Sequence, residues 1–437
     1  MGLFGRIVSA AIAAALMSLT GCTVERNFSQ NLIAANNAEQ NTFNQVLLLN
    51  ILRSRVREPR AYARFTALRG SASMTSSIGL AVPVLPGISA SNPATSSPSV
   101  SVTPGISDDV APQEDQDFYR GILTPVSKAT WALYQDQGWP ADLLFHLLVE
   151  RFEVSKTDFT RFDAAVKTAC GQATALDHDR NWECAAWTGA DDSACTGVPW
   201  ETRRGEGLIV ILSNEPGDRC ERLQFEKFSY GLMALGFGIV EHTADPVGPP
   251  LDAASFRDLA WIEKLKDSGL SVEPLIDHTG KPVSGKYILR PTDTGYTVQL
   301  ANYPGQDTAS RQVTLMVNPP LAEEKQAERA AGTLNITIRT RSPDSALYYL
   351  GEIARAQIPP GGQTPKAPTE YRAGDTPHKL LNVQEGDVPD PAVSIGFDGK
   401  TYSVARGEDY HTMQVFELMK QILRSTTKRL QHRQRRP

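Results

Sequence analysis

One short stretch near the amino terminus decides the conditions under which the rest of the chain must fold. Residues Ile7 to Leu19 form an apolar run without a charge, preceded by the lone cation Arg6. A helix that spans the hydrocarbon core of a bilayer needs about 20 such residues, and this run is shorter. Its length and flanks match the hydrophobic region of an export signal. No later stretch approaches about 18 uncharged apolar residues. The nearest, Tyr230 to Val240, is broken by Gly231, Gly236 and Gly238. The body is therefore expected to leave the cytoplasm and to fold where thiols oxidise.

The run ends in Leu19-Thr20-Gly21-Cys22. A branched apolar residue, two small ones and a cysteine in that place resemble the lipobox of bacterial lipoproteins. The resemblance covers residues 1–22, and the folded body resembles no family. It implies that residues 1–21 are a cleaved signal peptide, that the Cys22 thiol carries diacylglycerol, and that the new amino terminus is acylated. Each buried methylene contributes about 0.8 kcal/mol, and stable attachment takes more than one chain. The acyl groups implied by the resemblance meet that requirement. Thr23 rather than Asp after the cysteine implies, by enteric-type sorting, the periplasmic side of the outer membrane.

Four further cysteines remain: Cys170, Cys184, Cys195 and Cys220. An even number in an oxidising compartment favours disulfides, and four cysteines allow three connectivities. The nested one, Cys184–Cys195 inside Cys170–Cys220, is preferred here. It would staple a loop-rich insert (about 165–222) at tip and base, each bridge contributing roughly 2–4 kcal/mol. Zinc is the rival reading, but no Cys-x-x-Cys pair occurs and His178 is the only histidine nearby. No metal is expected, and no cofactor beyond the lipid on Cys22.

The net charge of −5 hides an uneven distribution. Arg53, Arg55, Arg57, Arg60, Arg64 and Arg69 stand against Glu58 alone. Lys420, Arg424, Lys428, Arg429, Arg433, Arg435 and Arg436 have no acid among them. The remainder is strongly acidic. Such an arrangement predicts oriented attraction to anionic surfaces. Beyond the inner membrane these are lipid head groups, lipopolysaccharide or an acidic protein; nucleic acid is excluded by location. The residues expected to make the contact are Arg53, Arg55, Arg57, Lys428, Arg429, Arg433, Arg435 and Arg436, with a plain solvated face as the alternative for the first three.

Periodicity divides the remainder of the chain. Residues 22–60 read as lipid anchor and helix: Phe43, Val46, Leu47 and Ile51 recur at helical spacing, and Pro59 stops the helix. Residues 61–240 read as an α/β region. It opens with a strand-like segment from Tyr62 to Pro86 and a flexible linker at about 88–116, rich in Ser, Pro, Ala and Asp. Thr124-Pro125 and Trp139-Pro140 predict helices running to Gln137 and Phe152. Leu208 to Leu212 reads as a buried strand and Cys220 to Leu235 as a helix. Residues 241–409 read as β-rich, with alternation at Tyr296–Leu300, Val313–Val317 and Leu334–Ile338. They include a helix capped by Ser342 and a hairpin turning at Asp398-Gly399. Residues 410–437 form a helix that buries Val415, Met419, Ile422 and Leu423, followed by a basic tail. The expected class is α+β, with mixed helices, mostly antiparallel strands and a disulfide-stapled insert.

Motifs that carry chemistry are sparse. Asp177, Asp179, Asp191 and Asp192 lack the Asp-x-Asp-x-Asp-Gly spacing of a calcium loop. Neither His-Glu-x-x-His, Gly-x-Ser-x-Gly nor a phosphate-cradling glycine run is present. Ser425-Thr426-Thr427-Lys428 has no Lys-Thr-Gly downstream, so it stands as chance. His146 lies within the apolar helix Leu143 to Val149, where a structural histidine is expected rather than a base. Asp344 and Glu352 become a carboxylate pair only if the fold brings them together. No catalytic residue is assigned. The expected function is non-enzymatic: an envelope lipoprotein, scaffold or assembly component that binds a protein partner near the membrane. The alternatives are a lipid-anchored hydrolase of cell-wall or glycan material, and a small-ligand binding module.

Overall fold

Leu47, Leu48, Ile51 and Leu52 are all buried on a single helix, and that stripe is where the body of the protein begins. The fold comes from a computed structural model that describes residues 33–34, 36–77, 99–112, 116–174, 177–189, 201–204, 207–215, 219–242, 246–256, 258–277, 279–291, 295–304, 313–319, 334–359, 370–373, 376–406 and 410–434. The chain starts with α1 (residues 36–56), β1 (Ala63–Ser77), β2 (Ser99–Pro112), α2 (Gln116–Leu123), α3 (Lys128–Asp136) and α4 (Ala141–Leu148). Then come β3 (Val149–Ser155), α5 (Lys156–Gly171), α6 (His178–Gly189), β4 (Glu201–Arg204), β5 (Gly207–Ser213), α7 (Arg219–Ala234) and β6 (Phe237–His242). Next come β7 (Val247–Asp252), α8 (Leu259–Asp267), β8 (Leu270–Ile276), β9 (Pro282–Pro291) and β10 (Gly295–Leu300). The last third holds β11 (Val313–Val317), β12 (Leu334–Thr340), α9 (Pro343–Gln357), β13 (Glu370–Ala373), β14 (Thr376–Lys379), β15 (Gln384–Glu385), β16 (Pro391–Phe397), β17 (Lys400–Ala405) and α10 (Tyr410–Gln434).

The class is α+β with mostly antiparallel strands, as the patterning predicts. The largest sheet has the order β11-β12-β3-β5-β4, and only β11 and β12 run parallel in it. It draws strands from both sides of residue 240. Its core is aromatic: Phe152 of β3 stacks on Phe225 of α7 at 5.0 Å between ring centroids, and Phe228 stacks on Phe162 of α5 at 4.1 Å. A side-chain carbon at Gly231 would meet the Phe162 ring at 2.8 Å, so this glycine sets how closely α7 approaches α5.

Several local readings hold for the expected reasons. Helix α1 closes before Pro59 with Arg57 in the left-handed region, φ 65°. There Glu58 N–H donates to Arg53 O at 2.8 Å and Arg57 N–H to Ser54 O at 3.1 Å, the bonding of a Schellman C-cap. Ser342 caps α9, its side-chain oxygen accepting from Ser345 N–H at 3.1 Å. The β16–β17 hairpin turns at Asp398 and Gly399, φ 49° and 72°, a pair of positive values that suits a two-residue hairpin loop. Val415, Met419 and Ile422 of α10 are buried.

Two expectations fail. The helix expected to run from Pro140 to Phe152 ends at Leu148, and Val149–Ser155 is the middle strand of the largest sheet. Its place between β12 and β5 outweighs the local helical pattern. The linker expected at about 88–116 contains β2, which pairs antiparallel with β1 from Ser77↔Ser99 to Ala63↔Pro112. Backbone pairing orders a composition that offers little side-chain surface to bury. Residues 78–86 of the strand-like segment lie outside the described residues.

Candidate functional site

Buried and half-buried ionisable groups gather where α4, α6 and α7 meet. Asp142 and His146 are one turn apart on α4, which puts them on the same helix face. His146 Nε2 lies 3.3 Å from Asp142 Oδ1, and both side chains are 0% exposed. Burial opposes a charge on the imidazole, but the Asp142 charge and hydrogen bond, joined by the Glu226 charge, outweigh it and raise the His146 pKa. Neither ring nitrogen of His146 makes a well-aligned hydrogen bond among the described residues, so its contact with Asp142 is chiefly a charge interaction. On α7, burial raises the Glu226 carboxyl against the pull of His146 and of Arg222, which sits 3.3 Å away. On α6, burial and the neighbouring Asp179 charge push Glu183 up to about 8. Glu183 is therefore protonated at neutral pH. The arrangement can hold protons, and the Asp142–His146 pair at its heart is sealed from solvent.

A second polar knot explains why α4 stops where it does. The last carbonyls of a helix have no partner within it. Here His146 O accepts from Asn214 Nδ2 at 2.7 Å and from the Arg341 guanidinium at 3.3 Å. Val149 O accepts from Asn214 Nδ2 at 3.2 Å and also from Arg341. Arg341 further donates to Asn214 O at 2.9 Å, lies 3.8 Å above the Tyr349 ring, and is 1% exposed. Tyr349 Oη donates to Asn214 Oδ1 at 2.9 Å. Burial lowers the Arg341 pKa and, against the pull of that cation, lifts the Tyr349 phenol to about 12.

The first basic segment turns inward for the most part. Arg55 is buried, donates to Ile358 O at 2.8 Å and lies over the Tyr402 ring, so it is no part of an exposed basic surface. Arg57 is exposed and 3.5 Å from Glu352, which Arg355 also approaches at 3.8 Å. Arg60 grips Asp344 with two bonds of 2.9 and 2.6 Å, and Tyr62 Oη donates to the same carboxylate at 2.5 Å. Asp344 and Glu352 thus bind arginines and do not face each other as a catalytic pair. Arg53 lies on α1, half-buried. Lys428, Arg429 and Arg433 fall on the last turns of α10, and Arg435 and Arg436 lie outside the described residues.

Cys170 is bonded to Cys184, which replaces the nested connectivity. The reason is helical: α5 and α6 lie together, and the bond clips the end of one to the middle of the other. Cys220 is also disulfide-bonded. Cys195 and Cys22 lie outside the described residues, as do Asp191 and Asp192. Among the described residues, no group of three or more His, Cys, Asp or Glu is placed to hold a metal ion. Two histidines that are far apart in sequence do meet, His378 and His411, with ring centroids 3.4 Å apart.

No protein-family model, no curated protein and no solved structure matches the chain. The residues that sequence reasoning missed are Glu183, Glu226, Asn214 and Arg341. Only Asp142-x-x-x-His146 carried a local signal, a carboxylate and an imidazole at one-turn spacing.

Proposed function

We propose that this protein is a lipoprotein of the bacterial envelope, held by acyl chains on Cys22 at the periplasmic side of the outer membrane. Its body would serve there as a scaffold or assembly component for a protein partner. The observation that carries the reading is Leu19-Thr20-Gly21-Cys22 placed directly after the apolar run Ile7 to Leu19. The Cys170–Cys184 bond supports export, because disulfides persist in oxidising compartments. Metabolic labelling with a palmitate analogue tests it: the wild-type chain takes up label, and Cys22→Ser loses the label and leaves the membrane fraction. Unchanged labelling of the variant would sink the reading.

One observation favours a second reading, a lipid-anchored hydrolase of cell-wall or glycan material. Glu183, whose carboxyl is pushed up to about 8 by burial and the Asp179 charge, is suited to give a proton to a leaving group. Release of soluble fragments from purified cell-wall material by the wild type, lost in Glu183→Gln, supports that reading. No release by the wild type rejects it.

A further inference from the structure

An isolated two-stranded ribbon is marginal in water. Yet β1 and β2 stay paired from Ala63↔Pro112 to Ser77↔Ser99, with a single register shift between Phe65 and Ala67. They form a sheet of only two strands, so among the described residues both outer edges carry unpaired backbone groups. The strands hold 15 and 14 residues, a reach on the order of 45 Å. The hydrocarbon core of a bilayer is about 30 Å thick.

Charge vanishes along this ribbon. Arg64 and Arg69 on β1 and Asp108 and Asp109 on β2 lie near its root. From Gly70 to Ser107 the sequence contains no Asp, Glu, Lys, Arg or His, in a chain that is 21% charged. A solvated arm has no need to exclude charge. A strand facing lipid does, because a charged side chain there is strongly destabilising at mid-membrane depth.

The register sorts the uncharged residues. Gly70, Ala72, Met74 and Ser76 pair with Ile106, Pro104, Val102 and Val100. At the alternate positions Ser71, Ser73 and Thr75 pair with Gly105, Thr103 and Ser101. Successive residues of a strand belong to opposite faces. One face of the ribbon therefore holds Ala72, Met74, Val100, Val102, Pro104 and Ile106 together with Gly70 and Ser76, and the other only Ser, Thr and Gly, the dyad pattern of transmembrane barrel strands. The root is clamped to the body: Arg60 and Tyr62 hold Asp344, Asn50 bonds Ala61 at 2.8 and 3.0 Å, and Tyr62 meets Phe118 edge to face at 5.2 Å.

Hydrocarbon offers no water to an open strand edge, so a ribbon within it must have both edges paired. A partner of matching length and polarity is the same ribbon of another copy. We propose that the β1–β2 ribbon inserts into a lipid bilayer and pairs edge to edge with the ribbons of neighbouring copies of this chain. Together they close a β-barrel with the apolar positions against acyl chains and the hydroxyl positions towards an aqueous lumen. The proposal takes its membrane from the envelope reading; the ribbon's pattern stands without the Cys22 lipid.

The test uses the full mature chain, purified in detergent and reconstituted into phosphatidylethanolamine/phosphatidylglycerol vesicles loaded with a self-quenching dye. The wild type is expected to release dye and to crosslink into oligomers larger than a dimer. Met74→Asp with Val102→Asp, a cross-strand pair at the apolar positions, should lower release at least about tenfold while the melting curve of the body is unchanged. Ser73→Asp with Thr103→Asp, one step along at the hydroxyl positions, should keep release and favour cations over anions. Absence of both release and oligomers in the wild type overturns the proposal, and so does equal loss by the two pairs. Cys22→Ser, delivered from detergent, should still release dye. A wild type that releases dye yet carries no acyl label would defeat the anchor and leave the ribbon standing.

Discussion

At 1% exposure the Arg341 guanidinium has lost its water and has the carbonyls of His146, Val149 and Asn214 in its place. Removing one partner of a buried charged network costs more than the network's net worth, because the other groups are left desolvated. Arg341→Leu is expected to cost about 3–5 kcal/mol in urea unfolding, and Tyr349→Phe, which loses only the bond to Asn214, about 1 kcal/mol. Equal costs for the two would show that Arg341 is merely filling space. Glu183 contributes to the pH response. Its folded value of about 8 lies above the ordinary 4.5, so the folded state binds the proton more tightly. That contribution to stability is complete below about 4.5 and is lost as pH rises through about 8. The raised His146 pKa works in the same direction. Urea midpoints should therefore fall between about pH 5 and 8 in the wild type and fall less steeply in Glu183→Gln. Identical slopes would exclude Glu183 as the source.

Helices α1 and α9 meet without a side chain between them at Gly351. A carbon added there would stand 2.3 Å from Ser54 Cβ and 3.0 Å from both Ile51 O and Arg55 N. The obstacle is backbone as well as side chain, so the helices themselves must part. Gly351→Ala is expected to destabilise the body by about 1–3 kcal/mol despite the better helix propensity of alanine. A variant as stable as wild type would mean that the two helices slide freely. Packing of this kind also decided the fate of β3. Val149 to Ser155 carries on an apolar helix in sequence, but Asn214 and Arg341 take the helix's last carbonyls and β12 and β5 flank the chain beyond. Neither pairing is written within ten residues of Leu148.

On the scale of the whole molecule, α10 packs against the start of α1, away from the basic segment at its end. Arg424 donates to Glu39 at 2.8 Å and lies over the Phe43 ring, with Lys420 beside it. Of the cations beyond them, Lys428, Arg429 and Arg433 follow on the same helix, and Arg435 and Arg436 come next in sequence. Near an anionic surface each adds about 1 kcal/mol of attraction. Deleting residues 428–437 should leave the unfolding midpoint unchanged, because Val415, Met419 and Ile422 remain in the core. Initial binding of the unlipidated chain to anionic vesicles at low salt should drop at least about tenfold. Equal binding by both forms would reduce the tail to a solvated end.

Signals that act within a few residues were legible in the sequence. The α+β class, the Ser342 cap, the Asp398-Gly399 turn, the stop before Pro59 and the stripe on α10 each depend on neighbours along the chain. What depended on residues far apart was not legible. Cys170 bonds Cys184 rather than Cys220 because α5 and α6 pack together. Arg55 and Arg60 face inward because α9 and β17 supply Asp344, Ile358 O and Tyr402. Glu183, Glu226 and Arg341 acquire their shifted pKa values only where separate helices exclude water from them. Burial and long-range pairing are properties of the assembled chain, and they decided which charges this protein hides and which it presents.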